Sequence, residues 1–389
     1  MTTKPQDVLP YHRPWIGDEE IAAVAETLRS GWLTMGPQTF RFEEEFARFL
    51  GAPHAIAVNS CTAALMLALD VLGIGPGDEV ITPTMTFTAT AAVVVHRGAK
   101  PVLVDCTLDP MNLDVERAIE AVTPRTRAIV PVHMAGHPCD MDEILALARR
   151  HDLAVVEDAA HALPAAYRGR KIGTVGDLTA FSFYAGKNMT TGEGGMLTTA
   201  RPDWAAEIRS RRLHGLSRDA WARHSTAGSW RYDVAYPGYK FNMTDLNAAI
   251  GLHQLARLPA MQERRLALVD RYREGLADVP EVRLPTVREG VESAWHVYVI
   301  RLDTDRLTID RDAVMAALKA DGVMTSVTFI PLHLHSFYRD RFGYRPEDFP
   351  NATALADSII SLPLYPRMEP GDVDRVCDAL RRIVSAHRR

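Results

Sequence analysis

Short apolar runs alternate with amphipathic stretches through the first half of the chain. The apolar runs, which predict buried strands, cover residues 54–58, 78–83, 101–105, 127–132, 154–158 and 177–183. Stretches with the apolar spacing of helices lie before and between them, at 18–31, 40–51, 62–73, 88–98, 115–122 and 141–152. Short strands that alternate with helices predict a parallel sheet in an α/β fold. In such sheets, ligands bind beyond the carboxyl ends of the strands.

The alternation stops near Trp204. Residues 204–221 have a helical pattern that becomes loop-like, and residues 227–242 are rich in Gly, Pro and aromatic residues, as structured loops are. A long helical pattern over residues 243–276 is interrupted by a proline, which we expect to break or kink the helix. The patterns at 295–302, 311–322 and 371–387 then predict a smaller α+β domain.

The composition narrows the class of protein. The chain has 389 residues, a length that suits two or three domains, with 47% hydrophobic and 24% charged residues. Its net charge of −5 gives no sign of a nucleic acid or membrane partner. No apolar run reaches the roughly 20 residues that span a bilayer, and the N-terminal residues lack the apolar core of a secretion signal. The cysteines are far apart in sequence, which favours reduced thiols and a cytoplasmic protein: Cys61, Cys106, Cys139 and Cys377.

The segment "FSFYAGKNMTTGEGG" (181–195) brings Lys187 to the end of an apolar run and follows it with glycines. A lysine held against apolar groups has a lowered pKa, and its neutral amine can form a Schiff base. Most lysines, however, are solvated surface groups. The position of Lys187 after "TAFSFYAG" favours the chemical interpretation.

Asp158 ends the predicted strand "AVVED". A carboxylate at a buried strand end is costly unless it meets a cation, and a pyridinium nitrogen is such a cation in pyridoxal phosphate enzymes. An aspartate that caps the following helix is the alternative.

Three further groups could complete a cofactor site. In "NSCTAAL" (59–65) a strand turns into a helix, where amide N–H groups and the hydroxyls of Ser60 and Thr62 could bind phosphate, although plain helix capping gives the same pattern. Ser182 is the one polar group in "FSF". Phe87 follows another strand end and could stack on a planar ring, or belong to the core. Together with Asp158 and Lys187, these groups occur in the order that a pyridoxal phosphate site would use.

The histidines give no comparable signal for a metal. His333 and His335 in "PLHLHSF", and His133 and His137 in "VHMAGHP", have no carboxylate or cysteine partner at a suitable spacing. We therefore expect no metal site, and interpret these histidines as satisfied or substrate-facing groups.

The sequence resembles the DegT/DnrJ/EryC1/StrS family of pyridoxal phosphate-dependent nucleotide-sugar aminotransferases over nearly its whole length. The segments that carry the resemblance are "SGWLTMGPQTFRFEEEFARFLG", "VNSCTAALMLAL", "GDEVITPTMTFTATA", "VEDAAHALPA", "GDLTAFSFYAGKNMTTGEGG", "GYKFNMTDLNAAIGLHQL" and "SLPLYP". The resemblance implies the aspartate aminotransferase fold (fold type I). We expect a large, mostly parallel-sheet domain that binds pyridoxal 5'-phosphate over residues 1–255 and a small α+β C-terminal domain over residues 256–389.

The resemblance also implies a role for individual residues. Lys187 matches the lysine that binds the cofactor covalently, and Asp158 matches the partner of the pyridine nitrogen. His161 would lie near the cofactor ring and Phe87 would stack on it. The matches to phosphate contacts are Cys61, Thr62, Ser182 and Asn242. The last of these would come from the other subunit, which implies a homodimer with shared active sites.

The predicted reaction moves an amino group from an amino acid, L-glutamate, to a keto sugar. The nearest resemblance is to enzymes that aminate C4 of a nucleotide-linked 4-keto hexose or pentose. The alternative substrate is a C3 keto sugar or a cyclitol. The alternative function is that of a non-catalytic regulatory protein built on the same fold. Sugar 3-dehydratases carry histidine in place of Lys187. Segments 31–37, 228–234 and 331–338 are candidates for lining the sugar pocket, and Tyr184 and Pro164 depart from the common pattern.

Overall fold

The computed structural model describes residues 8–216 and 232–389. Helices up to residue 216 include α1 (Asp18–Ser30), α2 (Pro37–Leu50), α3 (Cys61–Val71), α4 (Ala89–His96), α5 (Val115–Glu120), α6 (Met141–His151) and α7 (Pro202–Arg211). Strands in the same part include β1 (His54–Val58), β2 (Glu79–Pro83), β3 (Lys100–Val104), β4 (Thr126–Ile129), β5 (Ala154–Asp158), β6 (Ala166–Tyr167), β7 (Arg170–Lys171), β8 (Leu178–Ser182) and β9 (Gly195–Thr199).

The second part of the chain, from residue 232, is built differently. Its helices include α8 (Asp245–Leu276), α9 (Arg311–Ala320), α10 (Ser336–Phe342), α11 (Pro350–Ala356) and α12 (Pro370–Ala386). Its strands include β10 (Val282–Arg283), β11 (Val291–Glu292), β12 (Tyr298–Leu302) and β13 (Ile359–Leu362). The antiparallel order β10-β12-β13 forms a small sheet, and β11 pairs instead with β6 of the first part.

A seven-stranded sheet forms the centre of the first part, in the order β1-β9-β8-β5-β4-β2-β3. The pairs β8-β5, β5-β4, β4-β2 and β2-β3 are parallel, as the alternating pattern predicts. Apolar clusters cover both faces. One contains Phe42 and Phe46 of α2 and Ile144 of α6, and the other contains Leu65 of α3 and Val94 of α4. Successive strand residues point to opposite faces, which explains why these strands are apolar on both faces over most of their length.

Strand β9 is the one strand of this sheet that runs against the others, and the sequence patterns did not predict it. It pairs antiparallel with both β1 and β8, so its first residue, Gly195, lies opposite Val58 and Ser182. A Cβ atom on Gly195 would come within 2.5 Å of the Ser60 carbonyl carbon and 2.7 Å of the Cys61 nitrogen. Only glycine therefore lets β9 begin this close to the start of α3.

Helix α8 connects the two apolar cores. Leu255, Leu258 and Met261 pack in the core under the central sheet, whereas Val269 and Tyr272 pack in the core of the C-terminal sheet. The predicted interruption of this helix was wrong, because the helix continues through Pro259. Packing along both cores outweighs the hydrogen bond that a proline removes. The division into domains at residue 255 stays a prediction.

In residues 8–216 and 232–389, no helix combines the length and apolarity needed to cross a lipid bilayer. The predicted pocket segment 228–234 lies mostly outside the described residues, as do residues 217–221 and 227–231 of the two segments predicted to be loop-like.

Candidate active site

One cavity of about 340 Å³ opens where the carboxyl ends of several central strands meet. The sequence predicts eight cofactor contacts, and seven of them line this cavity: Cys61, Thr62, Phe87, Asp158, His161, Ser182 and Lys187. Because β9 is reversed, the glycines at its start reach the same edge of the sheet. The topology thus brings together residues that are far apart in sequence.

Lys187 lies in the turn that follows β8. Its amide N–H donates to the carbonyl oxygen of Tyr184 at 2.9 Å, and Gly186 lies against the Tyr184 ring. Burial lowers the pKa of the Lys187 amine to about 8, although nearby Cys61 and Asp158 act in the opposite direction. Near neutral pH, a larger share of this amine is therefore neutral and nucleophilic than in an ordinary lysine.

Asp158 ends β5 and is only 5% exposed. Its Oδ2 accepts a hydrogen bond from Thr90 Oγ1 at 2.8 Å, and its Oδ1 accepts one from the amide of Ala160 at 3.1 Å. Burial raises the pKa of Asp158, and these two bonds and the charge of Lys187 oppose that rise. A buried carboxylate with two neutral donors is only partly compensated, and a cationic N–H would complete its environment.

A second hydroxyl supports the bond from Thr90 to Asp158. Thr86 Oγ1 lies 2.8 Å from Thr90 Oγ1. Since Thr90 has a single hydroxyl proton, its bond to Asp158 makes Thr86 the donor between the two threonines. Neither threonine was predicted, because in "TMTFTAT" nothing distinguishes a threonine that faces the carboxylate from one that caps α4.

Aromatic rings form the wall beside Lys187 and Asp158. Phe87 is 57% exposed, and its ring centroid lies 5.6 Å from that of Phe329. Phe329 stacks on His161, whose ring in turn lies 4.3 Å from the ring of His296. Burial lowers the pKa of both imidazoles well below the usual value, so both are neutral. No local pattern pointed to Phe329 or His296, which reach the site from the C-terminal part of the chain.

The start of α3 forms the other end of the cavity. The Ser60 Oγ caps this helix by accepting from the amide of Ala63 at 3.1 Å. The first amides of a helix have no partner within the helix and favour an anion. Cys61, Thr62 and Ser182 line the cavity at this end. Burial and the charge of Asp158 raise the pKa of the Cys61 thiol well above its usual value, so Cys61 is a neutral thiol.

Asn242 is the predicted contact that the cavity of its own chain lacks. It forms an isolated bridge with Val58, and its side-chain amide donates to the Met243 carbonyl oxygen at 3.3 Å. The neighbouring Phe241 carbonyl accepts from the amide of Asn59 at 2.7 Å. The segment therefore lies beside the strand that leads to the phosphate turn, but Asn242 does not line the cavity of its own chain.

Three of the other singled-out histidines have structural partners. His333 is buried between Thr84 and Thr353, with hydrogen bonds of 2.9 and 3.0 Å. His133 contacts Glu157 at 3.0 Å, and His137 accepts from the amide of Arg288 at 3.2 Å. In the part of the chain that the structure describes, no group of three or more His, Cys, Asp or Glu side chains is arranged to hold a metal ion.

The candidate sugar-pocket segments lie in different places. Residues 31–37 lead into the start of α2, where the amides of Gly36, Gln38 and Thr39 donate to the buried carboxylate of Asp245. His335, Phe337 and Tyr338 of segment 331–338 line a second cavity beside the first. Tyr184 lies at the cavity wall and is 53% exposed.

These residues fit pyridoxal phosphate in several independent ways. Among residues 8–216 and 232–389, the buried Nδ1 of His161 has no hydrogen-bond partner, and the carboxylate of Asp158 has two neutral donors. The N-terminus of α3 suits the phosphate, and the exposed ring of Phe87 suits a planar ring. Lys187 supplies the amine that this cofactor binds covalently.

Comparisons with known proteins identify the family of this chain. A model of the DegT/DnrJ/EryC1/StrS aminotransferase family matches residues 14–381. The chain is 52% identical over 383 residues to the uncharacterized protein MJ1066 of Methanocaldococcus jannaschii, which covers 98% of this chain and 99% of the relative. It is 52% identical over 385 residues to the spore coat polysaccharide biosynthesis protein SpsC of Bacillus subtilis, which covers 99% of each.

Among solved structures, the putative sugar aminotransferase Spr1654 from Streptococcus pneumoniae in its PMP form has a TM-score of 0.92. It is 36% identical, and the match covers 97% of this chain and 99% of that one. The PLP form of the same protein has a TM-score of 0.91. This likeness confirms the predicted fold type I architecture.

Proposed function

Because the chain belongs to the DegT/DnrJ/EryC1/StrS aminotransferase family and is a pyridoxal phosphate-dependent sugar aminotransferase, we propose that it aminates C4 of a nucleotide-linked 4-keto sugar. The donor is an amino acid, L-glutamate. The observation that carries the site is the single cavity lined by Lys187, Asp158 and the start of α3. The choice of C4 rests on the sequence resemblance.

In this proposal, Lys187 has two tasks at one atom. Its Nζ would hold the cofactor. Once the amino acid has displaced it, the free Nζ would take a proton from the substrate carbon and deliver that proton to the second reacting atom. A pKa lowered to about 8 suits both tasks. Near neutral pH, this amine gives up and takes up a proton more readily than an ordinary lysine does. When bound, pyridoxal phosphate supplies a ring that accepts the electrons left behind by that proton.

Asp158 would keep a proton on the ring nitrogen of the cofactor. Its position at the end of β5 and its bonds from Thr90 and Ala160 fix the carboxylate, and burial raises its pKa. Phe87 would stack on the ring, and His161, with its unpartnered Nδ1, would lie near it. Cys61, Thr62 and Ser182 would hold the phosphate with the first amides of α3.

We propose a homodimer in which Asn242 of one subunit completes the phosphate site of the other. The location of Asn242 beside β1, but outside the cavity of its own chain, supports this arrangement. Mixed dimers of Lys187→Ala and Asn242→Ala chains test it. Shared sites would restore up to a quarter of the wild-type activity, whereas sites built from a single chain would restore none. A cytoplasmic location stays part of the proposal.

A substrate panel tests the reaction. Purified enzyme is given glutamate and a set of nucleotide-linked 4-keto sugars, 3-keto sugars and a cyclitol ketone, and each product is identified by mass and by the position of its amine. We expect amination at C4, with none by Lys187→Ala. Amination of only the 3-keto sugars or the cyclitol would contradict the C4 assignment and favour the alternative.

A further inference from the structure

Two buried threonines at the start of α4 form a chain of hydroxyl groups that ends on Asp158. Thr86 is 1% exposed, and Thr90 has no exposed surface. Thr90 Oγ1 lies 2.8 Å from Asp158 Oδ2, and Thr86 Oγ1 lies 2.8 Å from Thr90 Oγ1. We call Thr86 and Thr90 the threonine pair.

The direction of the two hydroxyl protons follows from the distances. Thr90 Oγ1 has a second acceptor within reach, the Phe87 carbonyl oxygen at 3.2 Å. A proton directed at that carbonyl would leave the Thr90 oxygen 2.8 Å from the charged Asp158 oxygen with no proton between them. The Thr90 proton therefore points at Asp158, and Thr86 donates to Thr90. Because a hydroxyl that accepts a hydrogen bond is itself a stronger donor, Thr86 strengthens the bond to Asp158.

The two donors to Asp158 come from different parts of the chain. The Ala160 amide belongs to the turn that Asp158 itself begins. Thr90 is 68 residues away in sequence, and its amide donates to the Phe87 carbonyl oxygen at 3.2 Å. Residues 86–90 thus carry both the Phe87 ring, which lines the cavity, and the hydroxyl that fixes the carboxylate from outside its own turn.

A hydrogen bond donated to a carboxylate favours its ionised form. Burial raises the pKa of Asp158, and the bond from Thr90 is the strongest of the influences that lower it, ahead of the Ala160 amide and the charges of Lys187 and His133. When pyridoxal phosphate is bound, its ring nitrogen and Asp158 share one proton. That proton makes an ion pair when it is on the nitrogen and a neutral pair when it is on the carboxylate, so a donor to the carboxylate favours the ion pair.

We propose that Thr90, supported by Thr86, is a positioning residue that keeps this proton on the cofactor ring by holding Asp158 ionised. Without the Thr90 hydroxyl, the N–H bond of the ring breaks and an O–H bond forms on Asp158. Both groups become neutral, and the ring accepts electrons less well. This inference rests on the proposed role of Asp158 and names the residues on which that role depends.

The ¹⁵N chemical shift of the cofactor ring measures where the proton lies. Wild type, Thr90→Val, Thr90→Ser and Thr86→Val are each loaded with pyridoxal phosphate that carries ¹⁵N in the ring. We expect a protonated ring nitrogen in the wild type and in Thr90→Ser, since serine keeps the hydroxyl. Thr90→Val should move the signal toward the neutral position, and Thr86→Val should move it less far in the same direction. Thr86 does not touch the carboxylate, so Thr86→Val decides the test if Thr90→Val fails to fold.

Thr82→Val is the matched control, because it also removes a buried threonine hydroxyl. Thr82 in β2 has no exposed surface, and its Oγ1 donates to the Val130 carbonyl oxygen at 3.2 Å. This variant should leave the ¹⁵N signal unchanged. The rate at which glutamate converts the bound cofactor should fall about tenfold in Thr90→Val and stay within about twofold in Thr82→Val and Thr90→Ser.

Asp158→Asn separates this inference from the proposed function. It removes the carboxylate itself and should give a neutral ring nitrogen. If it does so while Thr90→Val and Thr86→Val keep the wild-type signal, the inference is wrong and the role of Asp158 stands. If Asp158→Asn also keeps the wild-type signal, the role of Asp158 is wrong and the inference with it. The signal is read without amino acid or sugar, so a failure of glutamate or of the 4-keto sugar to react contradicts only the proposed reaction.

Discussion

Glu157 and Asp158 are consecutive residues of β5, both are buried, and their environments differ completely. Glu157 has no exposed surface, and three groups satisfy its carboxylate: His133 at 3.0 Å, Thr179 at 2.7 Å and the amide of Gly176 at 2.8 Å. The amide of Cys139 donates to His133 Nδ1, so the proton on Nε2 points at Glu157. Although burial acts to raise it, these bonds lower the pKa of Glu157.

Asp158 has two donors within the described part of the chain, and burial raises its pKa. It also lines a cavity, which Glu157 does not. The difference lies in how completely the protein supplies partners, since burial is nearly equal. A buried carboxylate with a full set of partners stabilises the fold, whereas one that lacks a partner and faces a cavity is available to a ligand. In β5, Glu157 therefore has a structural role, whereas Asp158 has a chemical role.

The largest effect is expected from Lys187→Ala, on the rate at which glutamate converts the bound cofactor. Loss of the amine removes both the covalent anchor and the proton carrier, so conversion of the cofactor by glutamate should fall by at least about 10³-fold. Stopped-flow absorbance of the bound cofactor measures this rate. Lys171→Ala is the matched control, because Lys171 donates to Phe49 far from the cavity and should leave the rate unchanged. A comparable loss of rate in both variants would contradict the role of Lys187 as covalent anchor and proton carrier.

Asp158→Asn should have the next largest effect. The amide keeps the shape, since its oxygen can accept from the amide of Ala160 and its N–H can donate to the Thr90 hydroxyl, which is able to rotate. It carries no charge, however, to hold a proton on the cofactor ring. We expect the same rate to fall about 100-fold, with a change in the free energy of unfolding below about 1 kcal/mol. Denaturant unfolding and cofactor absorbance, measured on one preparation, check both parts. A stable variant with an unchanged rate would contradict the contrast between the two carboxylates.

Glu157→Gln should show the opposite pattern. Gln cannot pair with His133 as a carboxylate does, and one of its N–H groups would face a donor. The free energy of unfolding should fall by about 2 kcal/mol, while the folded protein converts its cofactor at close to the wild-type rate. The urea midpoint of unfolding gives the first quantity. A large loss of rate without loss of stability would contradict the structural role of Glu157 and assign it a chemical one.

The fold was largely predictable because its strands and helices carry local periodicity. β9 and the uninterrupted α8 were not, since the first is a short strand between two pairing partners and the second depends on packing against two cores. In the site, Lys187 and Asp158 stood at recognisable strand ends. Thr90, Phe329 and His296 were missed, because their roles arise only when distant segments meet.

A smaller effect should appear as the pH dependence of cofactor capture. The free enzyme reacts through neutral Lys187, whose pKa is lowered to about 8. The neutral fraction rises about tenfold from pH 7 to pH 9, so the rate of capture should rise by the same factor and level off above the pKa. An ordinary lysine would keep rising past pH 10. Rapid mixing of the free enzyme with pyridoxal phosphate distinguishes the two profiles.

The smallest effect is expected from Cys61→Ser at the phosphate end. A hydroxyl is a better hydrogen-bond donor than the neutral thiol, so this variant should bind pyridoxal phosphate about threefold more tightly. Equilibrium dialysis against the cofactor measures the affinity directly. Cys377→Ser, in the core of the C-terminal sheet, is the control and should not tighten binding. Weaker binding by Cys61→Ser would contradict the assignment of the phosphate site to this turn.

The central claim is that β8 and its following turn deliver Lys187 to the cofactor, opposite Asp158. The most direct measurement is to load the wild-type enzyme with pyridoxal phosphate, reduce it with borohydride, digest it and locate the pyridoxyl group by peptide mass spectrometry. We predict a single modified residue, Lys187, with none after loading in the presence of excess glutamate. A pyridoxyl group on another lysine, or on none, would contradict the account.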